Sequence, residues 1–126
     1  MQFRVARHTN NLQVIKSFYT SILGFEILGS FENHNHYDGL FLGFPNSNWH
    51  LEFTTSNEKA NHHFDEDDLL VLYPETQNDY DSLLESLTKN KILLVPSKNP
   101  YWHENGKMFL DPDSYRIVIS PLKITN

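Results

Sequence analysis

Two short stretches carry histidine and glutamate in a spacing that can do chemistry. Phe3–Thr9 alternates, so a strand here puts Arg4, Ala6 and His8 on one face and Phe3, Val5 and Arg7 on the other. In Trp49–Thr54 the same alternation groups His50 with Glu52. If both strands turn these faces the same way, His8, His50 and Glu52 form a His-His-carboxylate set able to hold a divalent metal. The same residues suit proton transfer, with His8 or His50 as general base and Glu52 orienting it. His62 and His63 sit beside Asp65, Glu66, Asp67 and Asp68, another cluster with metal-binding residue types. A solvated linker explains that cluster better, since no periodicity holds its side chains convergent.

The elements that must position these residues come in two copies. Asp38–Glu52 reads as strand, tight Pro-Asn-Ser turn and strand. Asn105–Val118 reads the same way around Pro112-Asp113-Ser114, and Pro45 and Pro112 stand 67 residues apart. Upstream of the first copy, Leu12, Ile15, Phe18, Tyr19, Ile22 and Leu23 recur at helical spacing, with Asn10 or Asn11 as N-cap and Gly24 as terminator. Tyr80, Leu83, Leu84 and Leu87 do so in Asp79–Lys89. Strands are expected at Phe25–Phe31, Asp68–Tyr73 and Ile92–Val95, and loops at Glu32–Tyr37 and Pro96–Glu104. The fold class is therefore α+β: two β-α-β-β-β units, 3–54 and 68–121, joined by a polar linker over 55–67, in one domain spanning 1–126. Such a near-symmetry places the expected site in a cleft between the copies.

Composition excludes some functions. The chain has no Cys, which removes disulfides, zinc–thiolate sites and cysteine nucleophiles and points to a reducing, cytoplasmic setting. Sixteen acidic against ten basic residues give a net charge of −6, which opposes a nucleic-acid partner. No apolar run approaches the roughly 20 residues that span a bilayer, and the N-terminus shows no secretory pattern, so no membrane partner is expected. Nine Phe, six Tyr and two Trp can fill a core or line a pocket for a flat small molecule.

Asn11-Leu12, Phe18-Tyr19, Leu23-Gly24-Phe25, Trp49-His50-Leu51-Glu52 and the ending Phe109-Leu110-Asp111-Pro112-Asp113-Ser114-Tyr115-Arg116-Ile117 together resemble the vicinal oxygen chelate superfamily. That superfamily includes glyoxalase, fosfomycin-resistance transferases, extradiol dioxygenases and bleomycin-resistance proteins. The resemblance implies curved mixed sheets around a cleft, and a homodimer. It also implies a divalent metal held by His, Glu or Gln on the first and fourth strands of each unit, acting as a Lewis acid. Transferred residue by residue, those positions fall on Arg4, Glu52, Asp68 and Val118. A guanidinium cannot ligate a metal, and two carboxylates make a poor transition-metal site. An Arg4–Glu52 ion pair, joined by Asp68, is the expected replacement. The resemblance also puts Tyr101 and Trp102 at the cleft mouth, where they either cap a ligand or anchor their loop.

The expected function is metal-independent small-molecule binding of the bleomycin-resistance type, with no cofactor. Its ligand-contacting residues would be Arg4, His8, His50, Glu52, Asp68, Tyr101 and Trp102. The alternative is a metal-dependent lyase, thiol transferase or dioxygenase using the displaced set His8, His50 and Glu52.

Overall fold

The computed structural model describes residues 1–125. The chain divides into two compact units at the His62–His63 step. In the first, β1 (Phe3–His8) leads through α1 (Leu12–Ser17) and a π-helical turn (Phe18–Ile22) to β2 (Glu26–His34), β3 (Tyr37–Gly43) and β4 (Trp49–Thr55). Asn11 caps α1, its side-chain oxygen accepting from the Val14 N–H at 3.1 Å. The sheet order is β1-β4-β3-β2. β1 and β4 run parallel, while β3 pairs antiparallel with both β4 and β2.

One face of this sheet is a core face. Leu40, Leu42, Leu51 and Phe53 alternate inward and are buried together with Ile15, Phe18, Tyr19, Leu23 and Phe25. The Tyr19 ring lies 5.1 Å from that of Phe53 and 5.4 Å from that of Phe25, spacings that favour tilted aromatic packing. The opposite face carries Arg4, His8, His50, Glu52 and Thr54, whose register is set by Arg4 opposite His50, Ala6 opposite Glu52 and His8 opposite Thr54.

The second unit holds β5 (Leu69–Leu72), α2 (Gln77–Lys89), α3 (Pro100–Asn105), β6 (Lys107–Leu110) and β7 (Arg116–Ile119), in sheet order β5-β7-β6. β5 is parallel to β7, and β6 antiparallel to it. Met108, Phe109, Ile117, Val118 and Ile119 are buried along with Leu87 of α2.

Four elements depart from the sequence expectation, the first being the loop expected at Glu32–Tyr37, which is only the two-residue turn Asn35-His36 between β2 and β3. The helix through Leu12–Leu23 changes winding at Phe18, where the Leu23 N–H reaches the Phe18 carbonyl at 3.2 Å. The strand expected at Ile92–Val95 is a single bridge, Val95 to Met108. Pro96 has no N–H with which to extend it, and Leu93 and Leu94 are exposed. The loop expected over Pro96–Glu104 contains α3, capped by Asn99 through the Tyr101 N–H at 3.0 Å and started by Pro100.

The repeated hairpins also differ in their turns. In the first, the positive φ falls on Asn46 (71°), with the Ser47 N–H on the Phe44 carbonyl. In the second it falls on Ser114 (68°), and the buried Asp111 carboxylate accepts from the N–H groups of Asp113 and Tyr115 at 2.9 and 3.0 Å. The first turn is one residue longer in register. Gly43 pairs with His50 across it, whereas Leu110 pairs with Arg116.

Candidate functional site

Arg4 is the centre of the polar face of the first unit. Its Nε–H donates to Nε2 of His50 at 2.9 Å, and Nη1 stands 3.7 Å from Oε1 of Glu52. Its guanidinium lies over the Phe41 ring, 4.7 Å from the ring centre. Half of the Arg4 side chain is open to solvent, whereas Glu52 is mostly covered at 15 %. Strand pairing dictates this arrangement, because Arg4 and His50 are register partners and Glu52 is two residues along from His50 on the same face.

The floor beneath these residues is made of glycine–aromatic pairs. Phe31 stands opposite Gly39, and Phe41 opposite Gly29. His50 stands opposite Gly43. At Gly39 a Cβ would sit 2.1 Å from the Phe31 ring; at Gly29 it would sit 3.3 Å from Phe41, and at Gly43 3.2 Å from the His50 Cβ. Without side chains at the glycines, the rings lie down on the neighbouring strands. The Phe31 and Phe41 ring centres are 5.8 Å apart, as are those of Phe41 and His50. The signal for this floor was present in Gly29-Ser30-Phe31 and Gly39-Leu40-Phe41-Leu42-Gly43, where alternation puts glycine and phenylalanine on one face.

His8 is engaged differently. Its Nδ1 lies 2.8 Å from the Thr54 hydroxyl. Its Nε2 lies 3.1 Å from the Glu58 carbonyl and 3.2 Å from the Ser56 hydroxyl. A carbonyl only accepts, so the neutral ring carries its proton on Nε2, and Nδ1 accepts from Thr54. The imidazole thereby fastens the segment after β4 to β1. His62 donates from Nε2 to the His8 carbonyl at 2.7 Å, and the Ala60 N–H donates to Asn10 at 2.8 Å. The stretch after Thr55, expected to be a solvated linker, is thus tied along the end of β1 as far as His62.

Among the described residues, no group of three or more His, Cys, Asp or Glu is placed to hold a metal ion. Register comparison gives the chemical reason. Glu52 is two residues past the first turn's pairing residue, His50; Val118 is two past its counterpart, Arg116. Arg4 pairs with His50 as Leu69 pairs with Arg116. The four corresponding positions are therefore Arg4, Glu52, Leu69 and Val118. In the first unit a single carboxylate stands beside a guanidinium, and the corresponding positions of the second unit are aliphatic, so neither unit's pair fits a divalent cation.

Asp68 precedes β5, and its Oδ2 accepts from the Asp65 N–H at 3.2 Å. Tyr101 and Trp102 lie on α3 with their rings perpendicular and 4.9 Å apart, Tyr101 being half-exposed. Arg116 lies 4.0 Å from Glu66, and Lys98 lies 3.7 Å from the same carboxylate, a surface cluster of the second unit.

Both halves of the chain match one family. Residues 3–54 match the YycE-like N-terminal domain, and residues 67–120 match the YycE-like C-terminal domain. The chain belongs to the YycE-like family, within the vicinal oxygen chelate superfamily. YycE of Bacillus subtilis is 37 % identical over 121 residues, covering 93 % of this chain and 85 % of that protein. Its crystal structure, described as that of a protein of unknown function, superposes with a TM-score of 0.83 at 34 % identity, covering 99 % of this chain and 90 % of that one. Two further structures share the fold. The trypanothione-dependent glyoxalase I of Leishmania major has a TM-score of 0.74 at 20 % identity, over 95 % of this chain and 85 % of that one. TnmS3, an antibiotic-binding protein from Streptomyces sp. CB03234, has a TM-score of 0.68 at 19 % identity, over 95 % and 93 %. Among the described residues of this YycE-like protein, no helix is long and apolar enough to cross a membrane.

Proposed function

We propose that this YycE-like protein binds a small organic molecule without a metal, in the manner of the bleomycin-resistance branch of its superfamily. The ligand rests on the polar face of the first unit, against Arg4, Phe41, His50 and Glu52. The observation that carries this reading is the place of Arg4. A permanently charged guanidinium stands at the first-strand position, held by His50 and Glu52 over an aromatic ring. A cation from the chain repels a cation from solution, and the half-buried aromatic floor offers what an apolar guest needs. A fold neighbour is named as an antibiotic-binding protein, which supports the capacity of the fold for this task and nothing finer. The reading extends to a cytoplasmic homodimer, in keeping with the absence of Cys and the superfamily resemblance.

The test is a thermal-shift screen of small aromatic and heteroaromatic compounds against chelator-treated protein. Compounds that raise the melting temperature equally with and without chelator, and are recovered unchanged, support the reading. Stabilisation that appears only after a divalent metal is restored overturns it in favour of a metal-dependent lyase, transferase or dioxygenase. Conversion of the compound by chelator-treated protein overturns it in favour of a metal-free enzyme with His8 or His50 as general base.

A further inference from the structure

The guanidinium of Arg4 is fixed but not used up. Among the described residues, Nε–H is the only one of its five N–H groups in a hydrogen bond, to His50. At 3.7 Å the Glu52 contact is an ion pair beyond hydrogen-bond length, so it consumes no donor. Phe41 below and His50 beside it hold the guanidinium plane in place, and half of the side chain faces solvent. Little further order is lost when such a group takes a partner. Its remaining donors form a fork that matches the two oxygens of a carboxylate. Next to this fork lie the Phe31 and Phe41 rings, inclined at 47° to each other and occupying the space left by Gly39 and Gly29.

We infer that the face takes a small carboxylic acid with a flat apolar body: the carboxylate on the Nη groups of Arg4, the body on Phe31 and Phe41. This rests on the small-molecule reading above and names the class of guest. Glu52 neutralises Arg4 at a distance, so the carboxylate is recognised by short-range, directed bonds rather than by long-range attraction. Removing the Glu52 charge therefore strengthens binding, and removing the guanidinium abolishes the preference for an anion.

The experiment is calorimetric titration of the full chain with three probes of one shape: 2-naphthoate, 2-naphthamide and 2-naphthylmethylammonium. The expected result is 2-naphthoate binding about tenfold more tightly than 2-naphthamide, the scale of charge-assisted bonds. In Arg4→Met, which keeps an apolar stem over Phe41, 2-naphthoate loses more affinity than 2-naphthamide and that gap closes. In Glu52→Gln the gap widens. Equal or tighter binding of 2-naphthamide or the ammonium probe overturns the inference and leaves small-molecule binding standing. So does a carboxylate preference that survives Arg4→Met. Failure of all three probes to bind overturns the inference too. The wider reading falls only if the compound screen also finds no metal-independent ligand.

Discussion

The Nε–H of Arg4 donates to Nε2 of His50 at 2.9 Å, between two residues that face each other across parallel β1 and β4. The bond has a consequence inside the imidazole. Nε2 must offer its lone pair, so the neutral ring carries its proton on Nδ1. Nitrogen NMR of the ring is expected to show Nε2 unprotonated in the native protein, with a proton returning to Nε2 in Arg4→Met. A protonated Nε2 in the native protein would contradict the geometry.

The glycine floor predicts two alanine substitutions of unequal cost. At Gly39 a Cβ meets the edge of the Phe31 ring, which can swing away from the sheet, so Gly39→Ala costs stability little and ligand binding much. At Gly106 a Cβ meets buried Val118 Cγ1 at 2.5 Å and the Ile119 carbonyl at 3.0 Å, neither of which can yield easily. Gly106→Ala is expected to cost about 1–3 kcal/mol, the usual penalty of overpacking. Urea titration of both variants checks the order; an equal cost would mean that Phe31 is held in place.

Lys91 and His36 are two of the six non-glycine residues, among those described, that sit in the left-handed region favouring glycine. Lys91 (φ 59°) closes α2, its N–H on the Thr88 carbonyl and the Ile92 N–H on the Leu87 carbonyl. His36 (φ 71°) is the second residue of the two-residue β2–β3 turn after Asn35 (φ 53°). Lys91→Gly and His36→Gly are each expected to stabilise by up to about 1 kcal/mol, raising the urea midpoint with the slope unchanged.

These residues also show how much of the fold was legible. The helix over Leu12–Ile22 and both hairpins follow from periodicity and turn residues. The windings do not: apolar spacing cannot separate a π turn at Phe18 from an α turn, because both bury Phe18 and Tyr19. The two Pro-x-Ser turns look alike, yet Asp111 reaches two backbone N–H groups where Phe44 has nothing to offer, so the positive φ moves from Asn46 to Ser114. Asn99-Pro100 is a helix start that reads equally as a loop. Arg4, His50 and Glu52 were visible in strand alternation. Alternation also put Gly29 with Phe31 and Gly39 with Phe41 on one face, but which glycine stands opposite which ring is a pairing fact that needs the register.

Burial, and after it the neighbouring Asp81 carboxylate, holds the Tyr80 phenol above its ordinary value of 10.0. The folded state keeps this proton longer than the unfolded chain does. The associated stability is complete below pH 10.0 and is lost as pH rises through the folded value. Urea midpoints measured below and above that pH are expected to fall more in the native protein than in Tyr80→Phe. An equal fall in both would assign alkaline sensitivity to other groups.

The place of Arg4 is the central claim, and calorimetric titration of Zn²⁺, Mn²⁺ and Ni²⁺ into chelator-treated protein tests it most directly. A guanidinium beside a single carboxylate, with Leu69 and Val118 at the corresponding positions of the second unit, predicts no stoichiometric binding of any of the three. One equivalent bound, and lost in Glu52→Gln, would contradict it and return Glu52 to the role of metal ligand.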